Sequence, residues 1–131
     1  MGKLNDITDY SLANGSENTS QGYFTLINGN GNTSKKKFNI ITGKLNNNDG
    51  NYNLVNGLSN IIKGDNNIVS GTNNNLTIEN SVVLGDNILA KNANHLIAAG
   101  NSLNLKDNTN NNILLGNEST INGDKSISIG S

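Results

Sequence analysis

Glycine recurs along this chain at a nearly fixed interval, and that interval constrains the fold more than any other feature. Gly15, Gly29, Gly43, Gly57, Gly71 and Gly85 stand 14 residues apart. Gly100 follows after 15, Gly116 after 16 and Gly130 after 14. A second column lies seven residues on, at Gly22, Gly50, Gly64 and Gly123, so the two columns hold 13 of the 15 glycines. Self-similarity of this kind is the signature of a repeat architecture in which each unit packs only on its neighbours. Nine rungs are expected, each named below by its glycine, with positions counted from it.

The residues before each glycine read as short strands. Five-residue runs such as Phe38-Asn-Ile-Ile-Thr and Tyr52-Asn-Leu-Val-Asn are rich in β-branched and aromatic residues and are bounded by Gly, Asn and Asp. Glycine at the end of each run supplies the positive φ of a turn. A weaker second strand follows, marked by Ile61-Ile62, Leu76-Thr77-Ile78 and Leu103-Asn104-Leu105. Asn occupies the third position after glycine at Asn18, Asn32, Asn46, Asn60 and Asn74, which in stacked rungs predicts an amide ladder. Proline is absent, as pairing of every backbone N–H between rungs requires. The fold class is therefore all-β, a parallel β-solenoid of about nine 14-residue coils. At about 4.8 Å between rungs it forms a rod roughly 38 Å long.

Alternation along each strand separates two sets of positions. The position three before glycine is aliphatic in all nine rungs: Leu12, Leu26, Ile40, Leu54, Ile68, Val82, Ile97, Ile113 and Ile127. These residues are assigned to the core of the coil, joined first by Tyr10, Phe24, Phe38 and Tyr52 and later by Leu84, Leu115 and Ile129. The position two before glycine holds Ile27, Ile41, Val55, Val69, Val83, Ala98 and Leu114. Its neighbours four before glycine are small and polar, so this column is assigned to the outside. There it would form an apolar stripe on the order of 450 Å², the size at which exposed apolar surface marks a partner. A repeating rod finds that partner most cheaply in copies of itself.

Composition excludes several functions. The chain has no Cys, one histidine (His95) and nine lysines with no Arg, for a net charge of −1. Thiol chemistry, disulfides, His-rich metal sites and a nucleic-acid footprint are not expected, and no cofactor is implied. No apolar run is long enough to span a membrane. Thirty-one Asn would ordinarily mean low complexity, but here the apolar residues are placed to a rule. Scattered Gly-Asp turns fall short of the repeated acidic turns of calcium-binding rolls, and no nucleophile–base pair is visible, so an enzyme is not expected.

The hexapeptides Asn80-Ser81-Val82-Val83-Leu84-Gly85 and Ser126-Ile127-Ser128-Ile129-Gly130-Ser131 resemble the repeat of YadA-type heads of trimeric autotransporter adhesins. The resemblance covers the chain from about Tyr10 to Ser131. The half-repeat glycines match that family's second element, although Asn mostly replaces its alanines and the early rungs open with Tyr or Phe. The resemblance implies a left-handed β-roll, assembled as a homotrimer and displayed on a bacterial outer membrane by type V secretion. It also implies a role in adhesion and virulence, through binding host-surface or matrix protein such as a CEACAM-type receptor, collagen or fibronectin. Residues 1–131 would be one head domain of a longer surface protein whose anchor lies elsewhere, with no direct membrane insertion of this segment. The alternatives are a phage tail fibre and a purely structural or ice-binding solenoid. Against ice binding, Thr25, Thr33, Thr42 and Thr72 occupy different columns.

Candidate partner-binding residues are few. Lys35, Lys36 and Lys37 form the one dense charge cluster. Lys91, Asn94 and Asp107 belong to the two insertions, 91–94 and 107–110, that lengthen the repeat and are expected to bulge as loops.

Overall fold

A computed structural model describes residues 4–8 and 10–130; Met1, Gly2 and the closing Ser131 lie outside the described residues. All described strands belong to one 17-stranded sheet in which every pairing is parallel. Leu12–Ser16 stacks on Leu26–Asn30, then Ile40–Lys44, Leu54–Leu58, Ile68–Thr72 and Val82–Asp86, each with its glycine opposite the next. The series continues through Leu89–Asn101 and Asn110–Asn117 to Ile127–Gly130. A second stack rises beside it from Thr19–Ser20 through Thr33–Ser34, Asn47–Asp49, Ile61–Lys63 and Asn75–Glu79. The chain is thus a parallel β-solenoid of about nine turns of roughly 14 residues.

The glycines lie inside the strands instead of ending them. From the rung of Gly15 to that of Gly85 each first strand begins three residues before glycine and runs one beyond it, as in Ile68–Thr72. Gly71 has φ +140°, and a Cβ there would stand 1.8 Å from the Gly85 carbonyl oxygen. The column needs glycine for close approach of successive rungs as well as for its backbone angle. The chain turns elsewhere, at two left-handed corners per rung. One lies five before glycine (Phe38 φ 59°, Tyr52 φ 56°, Asn66 φ 62°), the other two after it (Leu45 φ 57°, Asn73 φ 57°).

The assignment of faces is reversed. Ile27, Ile41, Val55, Val69, Val83, Ala98 and Leu114, assigned above to the outer interface, are buried in the coil core, Ile41 at 0% exposure and Val69 at 1%. The column assigned to the core points outward. Leu12, Leu26, Ile40, Leu54, Ile68, Ile97 and Ile127 are exposed, Ile40 and Ile68 at 46%, and Val82 and Ile113 are half-buried. Tyr10, Phe24, Phe38, Tyr52, Leu84 and Ile129 are exposed as well, and Leu115 is half-buried. Both columns are apolar, and the unbroken aliphatic run three before glycine, which points to a core, does not mark the interior. The polar residues four before glycine share a face with the true core. Those residues are interior: Asn39, Asn53 and Asn67 are buried because the coil contains carbonyls for them to bind.

Two amide ladders meet that demand. Asn32 donates from Nδ2 to Asn18 Oδ1 (3.1 Å) and to the Gly43 carbonyl (2.8 Å), while its backbone N–H also reaches Asn18 Oδ1. Asn46, Asn60 and Asn74 repeat the pattern. In the second ladder Asn39, Asn53 and Asn67 accept the next rung's backbone N–H at Oδ1 (2.8, 2.8 and 3.0 Å) and donate from Nδ2 to the carbonyls of Gly50, Gly64 and Ile78. Hydrogen-bonded in this way, buried amides escape the cost of orphaned polar groups.

Candidate interaction surfaces

Three outer surfaces follow from this geometry. The first is the face of positions five, three and one before glycine. Its central stripe is the exposed aliphatic column, and at one side the rings of Tyr10, Phe24, Phe38 and Tyr52 stack with centroids 5.4, 5.2 and 4.9 Å apart. Successive rungs bring these rings face to face because identical positions are one strand spacing apart. Leu54 and Ile68, with Thr42, Asn56 and Ser70, border a shallow groove of about 380 Å³ on this face. The stripe with its aromatic margin exposes on the order of 1,000 Å² of apolar surface, against the few hundred Å² usual in a monomer.

The second surface, formed by positions four and six after glycine, is mostly polar: Thr19, Thr33, Asn47, Asn75 and Asn104, with Lys35, Asp49, Lys63 and Lys91. Lys35 Nζ lies 3.7 Å from Asp49 Oδ2. Lys35, Lys36 and Lys37 are all exposed, and Lys37 Nζ stands 5.8 Å from the Phe38 ring centroid.

The third surface is the turn edge between the two stacks, where the repeat is interrupted. The first insertion is not a loop. Leu89–Asn101 is one continuous strand, and its register against Asn75–Glu79 shifts so that Thr77 faces Lys91 and Ile78 faces Ala93. Asn92 is the extra residue, a one-residue bulge with φ 52°. The second insertion is a true turn through Asp107 and Asn108, seated on the first by the Asn108 N–H bond to the Lys91 carbonyl (3.2 Å). Two clefts flank this ridge. One, of about 350 Å³, is lined by Lys63, Glu79, Asn92, Asn94, Asn108 and Asn110, among others. The other, of about 500 Å³, includes Lys91, Lys106 and Asp107.

Lys91, Asn94 and Asp107 therefore gather on one edge, with Lys91 and Asp107 in one cleft and Asn94 in the other. Lys35–Lys37 lie along the same edge but rungs away. Asn92, Asn108 and Asn110, which also line the first cleft, lie within the insertions 91–94 and 107–110, whereas Lys63 and Glu79 come from neighbouring rungs. The signal was present, since consecutive repeats of 15 and 16 residues must stack their extra residues side by side. Among the described residues no group of three or more His, Asp or Glu could hold a metal ion.

No family model matches the chain, and no curated protein matches it.

Proposed function

We propose that this rod is one subunit of a homotrimeric adhesin head of the YadA type, a left-handed β-roll displayed on a bacterial surface. It binds host matrix or receptor protein and performs no catalysis. The observation that carries the reading is the apolar stripe at the position three before glycine, uninterrupted through nine rungs. Together with its aromatic margin, at on the order of 1,000 Å², it exceeds the about 800 Å² that each partner buries in a standard interface. A stripe that repeats with the rung is best matched by a surface with the same repeat, which another copy of the rod supplies. The polar second surface and the turn edge then remain available to a host partner.

Light scattering tests the assembly. A mass of about 41 kDa, three times the 13.8 kDa chain, is expected. Ile40→Asp with Ile68→Asp is expected to yield folded monomers, because a charge on the stripe opposes only association. A wild-type monomer at micromolar concentration, or a double variant that stays trimeric, overturns the reading.

A further inference from the structure

The cleft beside the Asn92 bulge is lined by groups that the fold leaves uncommitted. Most interior amides of this chain are consumed by the ladders. By contrast, among the described residues the side-chain amides of Asn92, Asn94, Asn108 and Asn110 make no hydrogen bond, nor do Lys63 Nζ and the Glu79 carboxylate. Glu79, Asn94 and Asn110 stand in register on adjacent strands, one rung apart. The walls are held by backbone donors: Asn108 N–H to the Lys91 carbonyl, Asn110 N–H to the Asp124 carboxylate at Oδ1 (2.6 Å) and Lys125 N–H to the Asn110 carbonyl (2.8 Å). Ile78, buried, forms part of the floor. Its carbonyl lies so near Gly64 that a Cβ there would meet it at 2.0 Å. The backbone of the site is held in place, so only the side chains must be ordered on binding.

We propose that this cleft binds a neutral saccharide through its hydroxyls. A primary amide offers a donor and an acceptor side by side, as each hydroxyl does in return. The rung spacing of about 4.8 Å sets each neighbouring pair, Glu79 with Asn94 and Asn94 with Asn110, at a distance that a pyranose ring spans between opposite hydroxyls. One ammonium and one carboxylate balance, so neither an anion nor a cation is favoured. A peptide fits less well, because these backbone groups are tied into parallel rungs and no row of apolar pockets accompanies the cleft. The cleft has no aromatic platform and single-site affinity is weak; useful avidity rests on the trimeric surface-binding reading above, which would present three such sites.

Saturation-transfer NMR on the whole chain tests this with four probes: glucose, galactose, mannose and N-acetylglucosamine. At least one is expected to receive saturation. Asn94→Asp and Asn110→Asp, which keep shape but replace a donor by charge, are expected to reduce it at least about fivefold. Asn117→Asp, exposed and outside both clefts, is expected to leave it unchanged. No transfer to any of the four sugars overturns the proposal, as does transfer that survives both cleft variants. Transfer to tetra-alanine that exceeds transfer to every sugar and is lost in those variants assigns the cleft to peptide instead. Light scattering on the same samples separates the two proposals: a trimer that ignores sugar refutes only this one, and a monomer that binds sugar refutes only the assembly.

Discussion

The rungs of Gly29 and Gly43 and those of Gly85 and Gly100 share one backbone path, yet their interiors differ in chemistry. In the first pair the coil is filled by Asn32, Ser34, Asn39, Asn46 and Asn48 around Ile27 and Ile41. In the second it holds Ile88, Ala90, Ala93, Leu96, Leu103 and Leu105 around Val83 and Ala98. Hydrogen-bonded amides and aliphatic side chains therefore occupy equivalent interior positions. The amides require company. Laddered Asn46 and Asn60 use both Nδ2 and Oδ1, whereas Asn112, with Leu96 below it, has its Oδ1 bonded to the Ser126 N–H and its buried Nδ2 without a partner.

The corners differ in the same direction. Early rungs place Phe or Tyr in the left-handed region, later ones mostly Asn, which tolerates it. For a bulky residue that conformation costs about 1–2 kcal/mol. Each stacked ring pair returns about 0.5–1.5 kcal/mol, so the aromatic ladder offsets much of the strain it occupies.

Substitutions can break or sharpen this contrast. The largest effect is expected at the seam. Gly71→Ala forces a Cβ onto the Gly85 carbonyl and should cost more than about 4 kcal/mol, read as loss of the cooperative thermal transition. Asn60→Leu comes next. It removes acceptors from Asn74 and a donor from Asn46 and Gly71, so about 3 kcal/mol is expected in urea unfolding. A value below about 1 kcal/mol would mean that the ladder is replaceable by grease and that the contrast is one of composition only. Ile88→Asn should be milder, about 1 kcal/mol, because Asn74 Oδ1 already accepts the backbone N–H there (2.9 Å) and can take the new amide too. Smallest is Lys35→Ala, at less than about 0.5 kcal/mol, since the ion pair joins an exposed Lys35 to a half-buried Asp49 within reach of water.

Much of the architecture was legible from glycine alone. The period, the two stacks and the ladder at Asn18 through Asn74 follow from spacing, because parallel in-register stacking converts every recurring position into a column. The second ladder at Asn39, Asn53 and Asn67 is equally regular, but a polar residue on a strand ordinarily faces solvent, so spacing alone does not place it inside. The extra residues near 91 and 107 were visible, but their form was not: whether an inserted residue makes a bulge or a turn depends on which neighbour it rests upon.

Alternation in the sequence determined that Ile40 and Ile41 must face opposite ways, because a strand has a period of two. Which of them faced inward was decided by tertiary structure. Closing the coil brings backbone carbonyls such as those of Gly50 and Gly64 within reach of the Asn39 and Asn53 amides, and that draws their whole column inside. Ile41 and Val55 follow them into the core, and Ile40 and Leu54 are left on the outer face.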